Sequence, residues 1–198
     1  MRPPLRPLKT SPLFSRRRLA LIGVALAILG LSAWRISISI QREREQSAKE
    51  RAAKLAEEFE DARGSSSVRI FLDPTLIKML ADDPKSVQSL NTLDLSMIDF
   101  RDQNMTAAQK LSNVRRITAY SCHDVEKLLS AMKGSPAIEE LYFDSILLSD
   151  AGVETLATFP NLREVHFSYV STQERIDLLR STLPSVDVVI SEGPEAKD

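Results

Sequence analysis

The sequence predicts an α/β fold in which short parallel strands and helices stack as repeated units behind an apolar amino-terminal helix. Three observations lead to this prediction. Apolar residues recur every 24 residues through the second half of the chain, prolines keep the same spacing, and residues 19–40 carry a single charge. Repeats of this length are typical of stacked units, each of which needs its neighbours to bury its apolar face.

The composition limits the classes of function. The chain has 198 residues, a formal net charge of −1 and one cysteine, Cys122. The length allows one ordinary domain with appendages, and the balanced charge gives no indication of a nucleic-acid partner. One cysteine and two histidines exclude an intrachain disulfide and a zinc site built from Cys/His pairs. We therefore expect no metal ion and no cofactor.

The amino-terminal segment is typical of a signal anchor. Residues 1–18 are basic, contain no acid and hold four prolines that discourage a helix, so we predict a solvated tail. Residues 19–40 would span about 33 Å as a helix, enough for a hydrocarbon core of roughly 30 Å. We predict a transmembrane signal-anchor helix here. A cleaved signal peptide, a buried soluble helix and a mitochondrial presequence are the alternatives.

The basic residues on the amino-terminal side predict the orientation. Cytoplasmic flanks carry the excess of Lys and Arg, so the amino terminus is expected in the cytoplasm. Everything after residue 41 is then expected outside the cytoplasm, in the periplasm if the protein is bacterial. The prediction is a cell membrane protein that crosses the bilayer once.

Residues 41–63 predict a helical stalk, because they lack Gly and Pro and are rich in Ala, Glu, Lys and Arg. Its apolar residues alternate in steps of four and three, which is a short heptad pattern. The stalk is therefore either a solvated single helix or a weak parallel coiled-coil homodimer. Residues 64–67 then predict a flexible linker. The heptad residues are Ala48, Ala52, Leu55, Phe59 and Ala62.

Residues 68–191 predict the repeat domain. Four strands are in phase, at 90–95, 114–119, 138–143 and 162–167, with a fifth at 186–190, and each follows a helical stretch. The segment 68–72 alternates like a strand but lies out of phase, so we expect a capping strand. Residues 192–198 predict a disordered tail. Two columns of apolar residues are expected to face inward. The first is Leu93, Ile117, Leu141, Val165 and Val189. The second is Leu95, Ala119, Phe143 and Phe167, and its next position is the polar Ser191.

One full unit shows a family resemblance. Residues 141–167 read L-x-F-D-S-I-L-L-S-D-A-G-V-x-x-L-x-x-F-x-x-L-x-x-V-x-F, which resembles a leucine-rich repeat of the ribonuclease-inhibitor-like subclass common in bacterial surface and membrane proteins. The resemblance covers about residues 74–191 and implies a short solenoid that binds protein on its concave face. The asparagine or cysteine column of the family falls at Ile98, Cys122, Ile146 and Val170, so only Cys122 matches, and the loop amides need other partners.

The strand positions between the inward columns face the concave side, and they supply the candidate binding site. Aromatic and Arg residues are the usual anchors of protein interfaces. The alternative is a solvated sheet face. The candidate protein-binding residues are Arg116, Tyr120, Glu140, Tyr142, Glu164 and His166.

These observations predict a membrane-anchored, non-catalytic protein-binding module whose partner is a protein of unknown identity. One alternative is a structural subunit of a larger membrane complex, with the stalk or the solenoid edge as its contact. An enzyme is the other alternative. Its candidate pairs are Cys122 with His123 and Glu139 with Glu140, but neighbours along a strand point to opposite faces.

Overall fold

The computed structural model describes the backbone of residues 16–170 and 172–192 and the side chains of residues 34–170 and 172–191. The chain divides into two compact units, Met1–Ala53 and Lys54–Asp198. Residues 1–15 of the predicted tail and 193–198 at the carboxyl end lie outside the described residues. The side chains of residues 19–33, which make most of the predicted membrane helix, lie outside them too.

The unit from Lys54 onward contains a six-stranded parallel sheet in the order β1 to β6, with a helix or two between successive strands. This arrangement confirms the predicted α/β class and its parallel strand ladder. A 3₁₀ helix, Thr106–Lys110, connects the second and third strands. The strands are β1 (Ser67–Phe71), β2 (Thr92–Ser96), β3 (Arg116–Tyr120), β4 (Glu140–Asp144), β5 (Glu164–Tyr169) and β6 (Asp187–Glu192). The helices are α1 (Arg16–Ala62), α2 (Thr75–Asp82), α3 (Pro84–Ser89), α4 (Glu126–Ala131), α5 (Asp150–Leu156) and α6 (Gln173–Thr182).

The core lies between the sheet and the helices. The inward columns of β2–β5 are almost inaccessible, and Leu141 has no exposed surface. Helix residues such as Leu80, Leu128 and Leu156 close the other side of the same core. Burial of these apolar columns is the main stabilising contribution, at roughly 25 cal/mol per Å². The other face of each strand is left to the solvent and carries the candidate site.

The first strand joins the sheet one residue out of the 24-residue period. β1 pairs Val68 with Leu93 and Ile70 with Leu95, so its alternation faces inward as predicted for a capping strand. The prediction was wrong at Leu72, which lies beyond the strand. Its φ is 66° and its side chain is exposed.

The last strand is also shifted, in the other direction. β6 places Val188 beside Val165, where the 24-residue period predicts Val189. The next inward position is Ile190, which pairs with Phe167. The predicted register placed the polar Ser191 in this column, whereas the observed register places an apolar residue there. Val188 and Ile190 pack against the core. The predicted register was wrong because this last unit is one residue shorter than the others.

The helix after β1 is divided in two at Asp83-Pro84. Pro84 occupies the first position of α3, where its fixed φ suits a helix start. Asp83 caps α3: its Oδ2 accepts bonds from the backbone N–H and the hydroxyl of Ser86, both at 2.9 Å. The Arg63 Nε donates to the other oxygen of Asp83 at 3.0 Å. This buried carboxylate therefore ties the end of α1 to the start of α3.

Helix α1 runs through the segments predicted as membrane anchor and stalk. Within the part of the chain that the structure describes, no helix combines the length and the apolar character that a membrane crossing requires. The last turns of α1 pack on the repeat core: Leu55 and Phe59 are half-buried and Ala62 is buried. Ala48 and Ala52 are exposed. Three of the five heptad residues thus contact their own chain.

Residues 64–67, predicted as a flexible linker, make several hydrogen bonds. The Ser66 carbonyl accepts from the backbone N–H groups of Asn91 and Thr92, at 2.8 and 2.9 Å. The Ser65 hydroxyl donates to the carbonyl of Ser67 at 2.7 Å. These contacts link the segment to the start of the second strand.

The loops satisfy their backbone groups without an asparagine column. The residues at the positions of the asparagine or cysteine column are apolar and buried here. Backbone groups of neighbouring loops bond to each other directly. The His123 N–H donates to Ile98 O at 2.8 Å, and the Phe100 N–H donates to His123 O at 3.0 Å. Asparagine side chains act at the other end of the strands instead. Asn113 Nδ2 donates to Gln88 O at 3.0 Å. Asn161 Nδ2 donates to Pro136 O at 2.7 Å.

Candidate functional site

The exposed face of the sheet brings together five of the six predicted site residues. The strand register places each position beside its equivalent in the next repeat, so Tyr142 lies beside His166 on the neighbouring strand. Alternate side chains share one face, which puts the adjacent charged row on the same side as the two rings. That charged row contains Arg116, Glu140 and Glu164.

Arg116 reaches across to β4 and joins Glu140 and Tyr142. Its Nε donates to Glu140 Oε2 at 2.6 Å, and a second guanidinium nitrogen contacts the same oxygen. The guanidinium carbon lies 5.5 Å from the centroid of the Tyr142 ring, which is a cation–π contact. The Tyr142 hydroxyl makes a long bond of 3.4 Å to Glu140 Oε2. The carboxylate therefore holds Arg116 over the ring.

His166 continues the same ladder on β5. Its ring stacks on Tyr142 with centroids 4.5 Å apart and an interplanar angle of 14°. A hydrogen bond joins its Nε2 to Glu164 Oε1. The result is a continuous stack across three strands, from the guanidinium of Arg116 through Tyr142 to the imidazole of His166. We call these three residues with Glu140 and Glu164 the concave cluster.

The electrostatic surroundings fix the charge of two members of the cluster, Tyr142 and Arg116. Burial, followed by the negative charges of Glu164 and Glu140, raises the pKa of Tyr142, so its phenol remains a neutral donor at physiological pH. The hydrogen bond and charge of Glu140 raise the pKa of Arg116. The concave cluster thus offers a fixed cation and a neutral phenol beside the side chains of Glu140 and Glu164.

The cluster remains accessible to a partner. The side chains of Arg116 and Glu140 are 48% and 28% exposed. Ion pairs this exposed contribute only about 0–1 kcal/mol to stability. The ion pair between Arg116 and Glu140 therefore adds little to the stability of the fold.

Tyr120 is the predicted site residue that lies apart. It ends β3, two positions beyond the row that holds Tyr142, and is in register with Ser96 and Asp144. Among the described side chains, no hydrogen bond or ring contact joins Tyr120 to the concave cluster. Its exposed ring belongs to the carboxyl ends of the strands.

Sequence reasoning missed two further cross-strand pairs. Arg163 bonds to Glu139 at the start of the strands, and the Ser168 hydroxyl donates to Asp144 Oδ1 at 2.7 Å near their ends. Both pairs could have been found from the 24-residue spacing. Each consists of complementary groups that are 24 residues apart in the sequence, as are Arg116 and Glu140. Opposite charges at this spacing indicate neighbouring positions on adjacent strands.

The chemistry of Cys122 argues against a nucleophile. The side chain is buried, and burial raises the pKa of its thiol. Its Sγ lies 3.5 Å from the carbonyl oxygen of Tyr120. A buried, protonated thiol is a weak nucleophile.

In the described ranges, no three His, Cys, Asp or Glu side chains converge into a group that could hold a metal ion.

No protein-family model, no curated protein and no solved structure matches this chain.

Proposed function

We propose that the protein is a non-catalytic, protein-binding module of the leucine-rich-repeat type and that the concave cluster is its contact surface. The observation behind this proposal is the continuous stack of Arg116, Tyr142 and His166 on an exposed sheet face. A flat row of aromatic and guanidinium groups, bordered by carboxylates, suits a partner that offers peptide or side-chain groups for stacking and hydrogen bonding.

We further propose that residues 19–40 anchor the module in the cell membrane, with the amino terminus in the cytoplasm and the repeat domain outside it. The support is the nearly uncharged stretch of 22 residues and the basic flank before it. Anchoring raises the local concentration of the binding face, so that a weak interface suffices for function.

A structural subunit of a larger membrane complex is the second candidate. The observation that favours it is the terminal position of β6, which pairs with β5 on one side only within the described residues. An unpaired strand edge can accept a strand from another chain. In that case the contact is made by the solenoid edge and not by the concave cluster.

Site-specific photocrosslinking in intact membranes tests the proposal. The crosslinker replaces Thr118, which is in register with Tyr142 and leaves the cluster complete. A matched control carries it at Glu154, an exposed position of α5. We expect a discrete protein adduct from position 118 only, and we expect Tyr142→Ala to reduce its yield about tenfold or more. Adducts from position 154 alone, or an unchanged yield in Tyr142→Ala, would contradict the concave-face proposal.

A further inference from the structure

The large apolar side chains that are exposed in the described part of the repeat unit all lie at one edge of the sheet. Parallel strands end at the same edge, and β1–β5 each place such a residue at or just beyond their carboxyl end. Adjacent strands are about 4.8 Å apart, so the row extends over roughly 19 Å. We call it the strand-end rim, and it consists of Phe71, Leu72, Met97, Tyr120, Leu147 and Tyr169.

Two of these residues also have an unfavourable backbone. Leu72 and Met97 adopt φ of 66° and 55°, in the left-handed region that costs an ordinary side chain about 1–2 kcal/mol. The equivalent positions in the next two repeats are Ser121 and Ser145, with φ of 48° and 55°. A polar residue therefore fits this turn, and the fold does not require an apolar one.

The rim thus combines strain with exposed apolar surface, and neither feature stabilises the isolated domain. The Leu72 and Met97 side chains are 58% and 48% exposed. Exposed apolar patches of this kind mark interaction sites in soluble domains. Backbone strain likewise concentrates at functional positions.

The charges beside the rim indicate the chemistry of what covers it. Three carboxylates there are already paired, Asp99 with Arg101, Asp124 with Lys127 and Asp150 with Arg175. Asp94 is half-buried in β2 and lies in the same row as Thr118 and Tyr142, away from the rim. The carboxylates at this edge that form no ion pair within the described residues are Asp73, Asp102 and Asp144.

We propose that the strand-end rim binds a basic, apolar segment of a protein partner, with its apolar side chains on the rim and its Lys or Arg residues beside these carboxylates. The inference rests on the proposed protein-binding function and adds the class of partner. A membrane surface would also take up aromatic and aliphatic groups, but anionic headgroups repel carboxylates. Charge complementarity therefore favours the basic protein segment.

The test uses the full chain in mild detergent and short fluorescein-labelled peptides followed by fluorescence anisotropy. One peptide alternates leucine with lysine, and its controls replace lysine by glutamate or leucine by serine. The rim variant carries Leu147→Ser and Tyr169→Ser, and Glu154→Ser is the matched surface control. We expect the leucine–lysine peptide alone to bind, and the rim variant to bind it about tenfold more weakly or worse.

A second variant keeps the test independent of folding defects. Leu72→Asn with Met97→Asn removes two apolar groups but suits the left-handed turn, so we expect weaker peptide binding together with a thermal midpoint a few degrees higher. Unchanged peptide affinity in both rim variants would overturn the proposal. Equal binding of the leucine–glutamate peptide would do the same, as would binding to anionic phosphatidylglycerol vesicles that disappears in the rim variants.

The photocrosslinking readout separates this inference from the proposed function. If the adduct at position 118 persists in the rim variant but is lost in Tyr142→Ala, the concave-face proposal stands and the rim inference fails. If no adduct forms in either background, the proposed function itself fails.

Discussion

Asp83 shows how one carboxylate can hold two elements of this fold. The Ser86 backbone N–H is the main cause that lowers the pKa of Asp83 below its ordinary value of 3.8, and the charge of Arg63 adds to it. Because the folded pKa is the lower one, the charged carboxylate stabilises the fold fully at neutral pH. That contribution disappears as the pH falls through the lowered pKa.

This residue predicts a pH dependence of stability. We expect Asp83→Asn to lower the free energy of unfolding at neutral pH, because Asn can cap α3 but cannot pair with Arg63. The difference from the wild type should shrink as the pH falls below about 4. Urea unfolding over a pH series measures it, with Asp102→Asn as an exposed control. A difference that stays constant into acid would contradict the assigned role.

Single positions also show where sequence reasoning reached its limit. Alternation and period predicted that Tyr142 and His166 lie side by side on one face, because both depend only on the strand pattern. They did not predict that Tyr120, at the end of its strand, would make no hydrogen bond or ring contact with the cluster among the described side chains. The alternation also placed Leu72 inside a strand, although its backbone turns into the left-handed region there.

At the scale of elements, neighbouring repeats are joined by a side chain that crosses between helices. Glu126 of α4 accepts from the Ser149 hydroxyl at 2.6 Å and from the Ser149 N–H, at the start of α5. Gly152 leaves the space for it, since a Cβ there would lie 2.6 Å from the Glu126 carboxyl carbon. The absence of a side chain at Gly152 thus permits this contact between repeats.

We expect Glu126→Ala to lower the free energy of unfolding by about 1–2 kcal/mol, because two hydrogen bonds to a carboxylate are lost. Gly152→Ala should cost a comparable amount by displacing the same carboxylate. The double variant should cost less than the sum of the two, since both remove one interaction. Chemical unfolding of the three variants, with Glu154→Ala as control, measures the coupling. Additive effects would show that the contact does not join the repeats.

The pairing register of the strands was predictable only where the 24-residue spacing is kept. The 24-residue spacing predicted β2–β5 correctly, because each inward column repeats without interruption. At β6 the unit is one residue shorter, and both possible registers place a valine inward, at Val188 or Val189. Hydrophobicity cannot choose between such neighbours, and a one-residue slip changes every side chain to the other face.

At the scale of the molecule, the end of α1 closes the first repeat. The first unit of a stacked strand ladder lacks one neighbour, so its open end needs a cover. Leu55, Phe59 and Ala62 provide apolar contacts to the core, and the Arg63 guanidinium lies 6.0 Å from the centroid of the Phe59 ring. The heptad spacing alone could not distinguish this packing within the chain from a coiled coil between two chains.

That ambiguity gives a prediction about the full chain. Phe59→Ala removes a half-buried ring from the cap, so we expect it to lower the free energy of unfolding by roughly 1–3 kcal/mol. Ala52→Ser, on the exposed part of the same heptad pattern, is the control and should change little. Because the contact lies within one chain, the loss in Phe59→Ala should be the same at every protein concentration. A loss that grows on dilution, with a concentration-dependent midpoint in the wild type, would show instead that Phe59 packs between two copies of the helix.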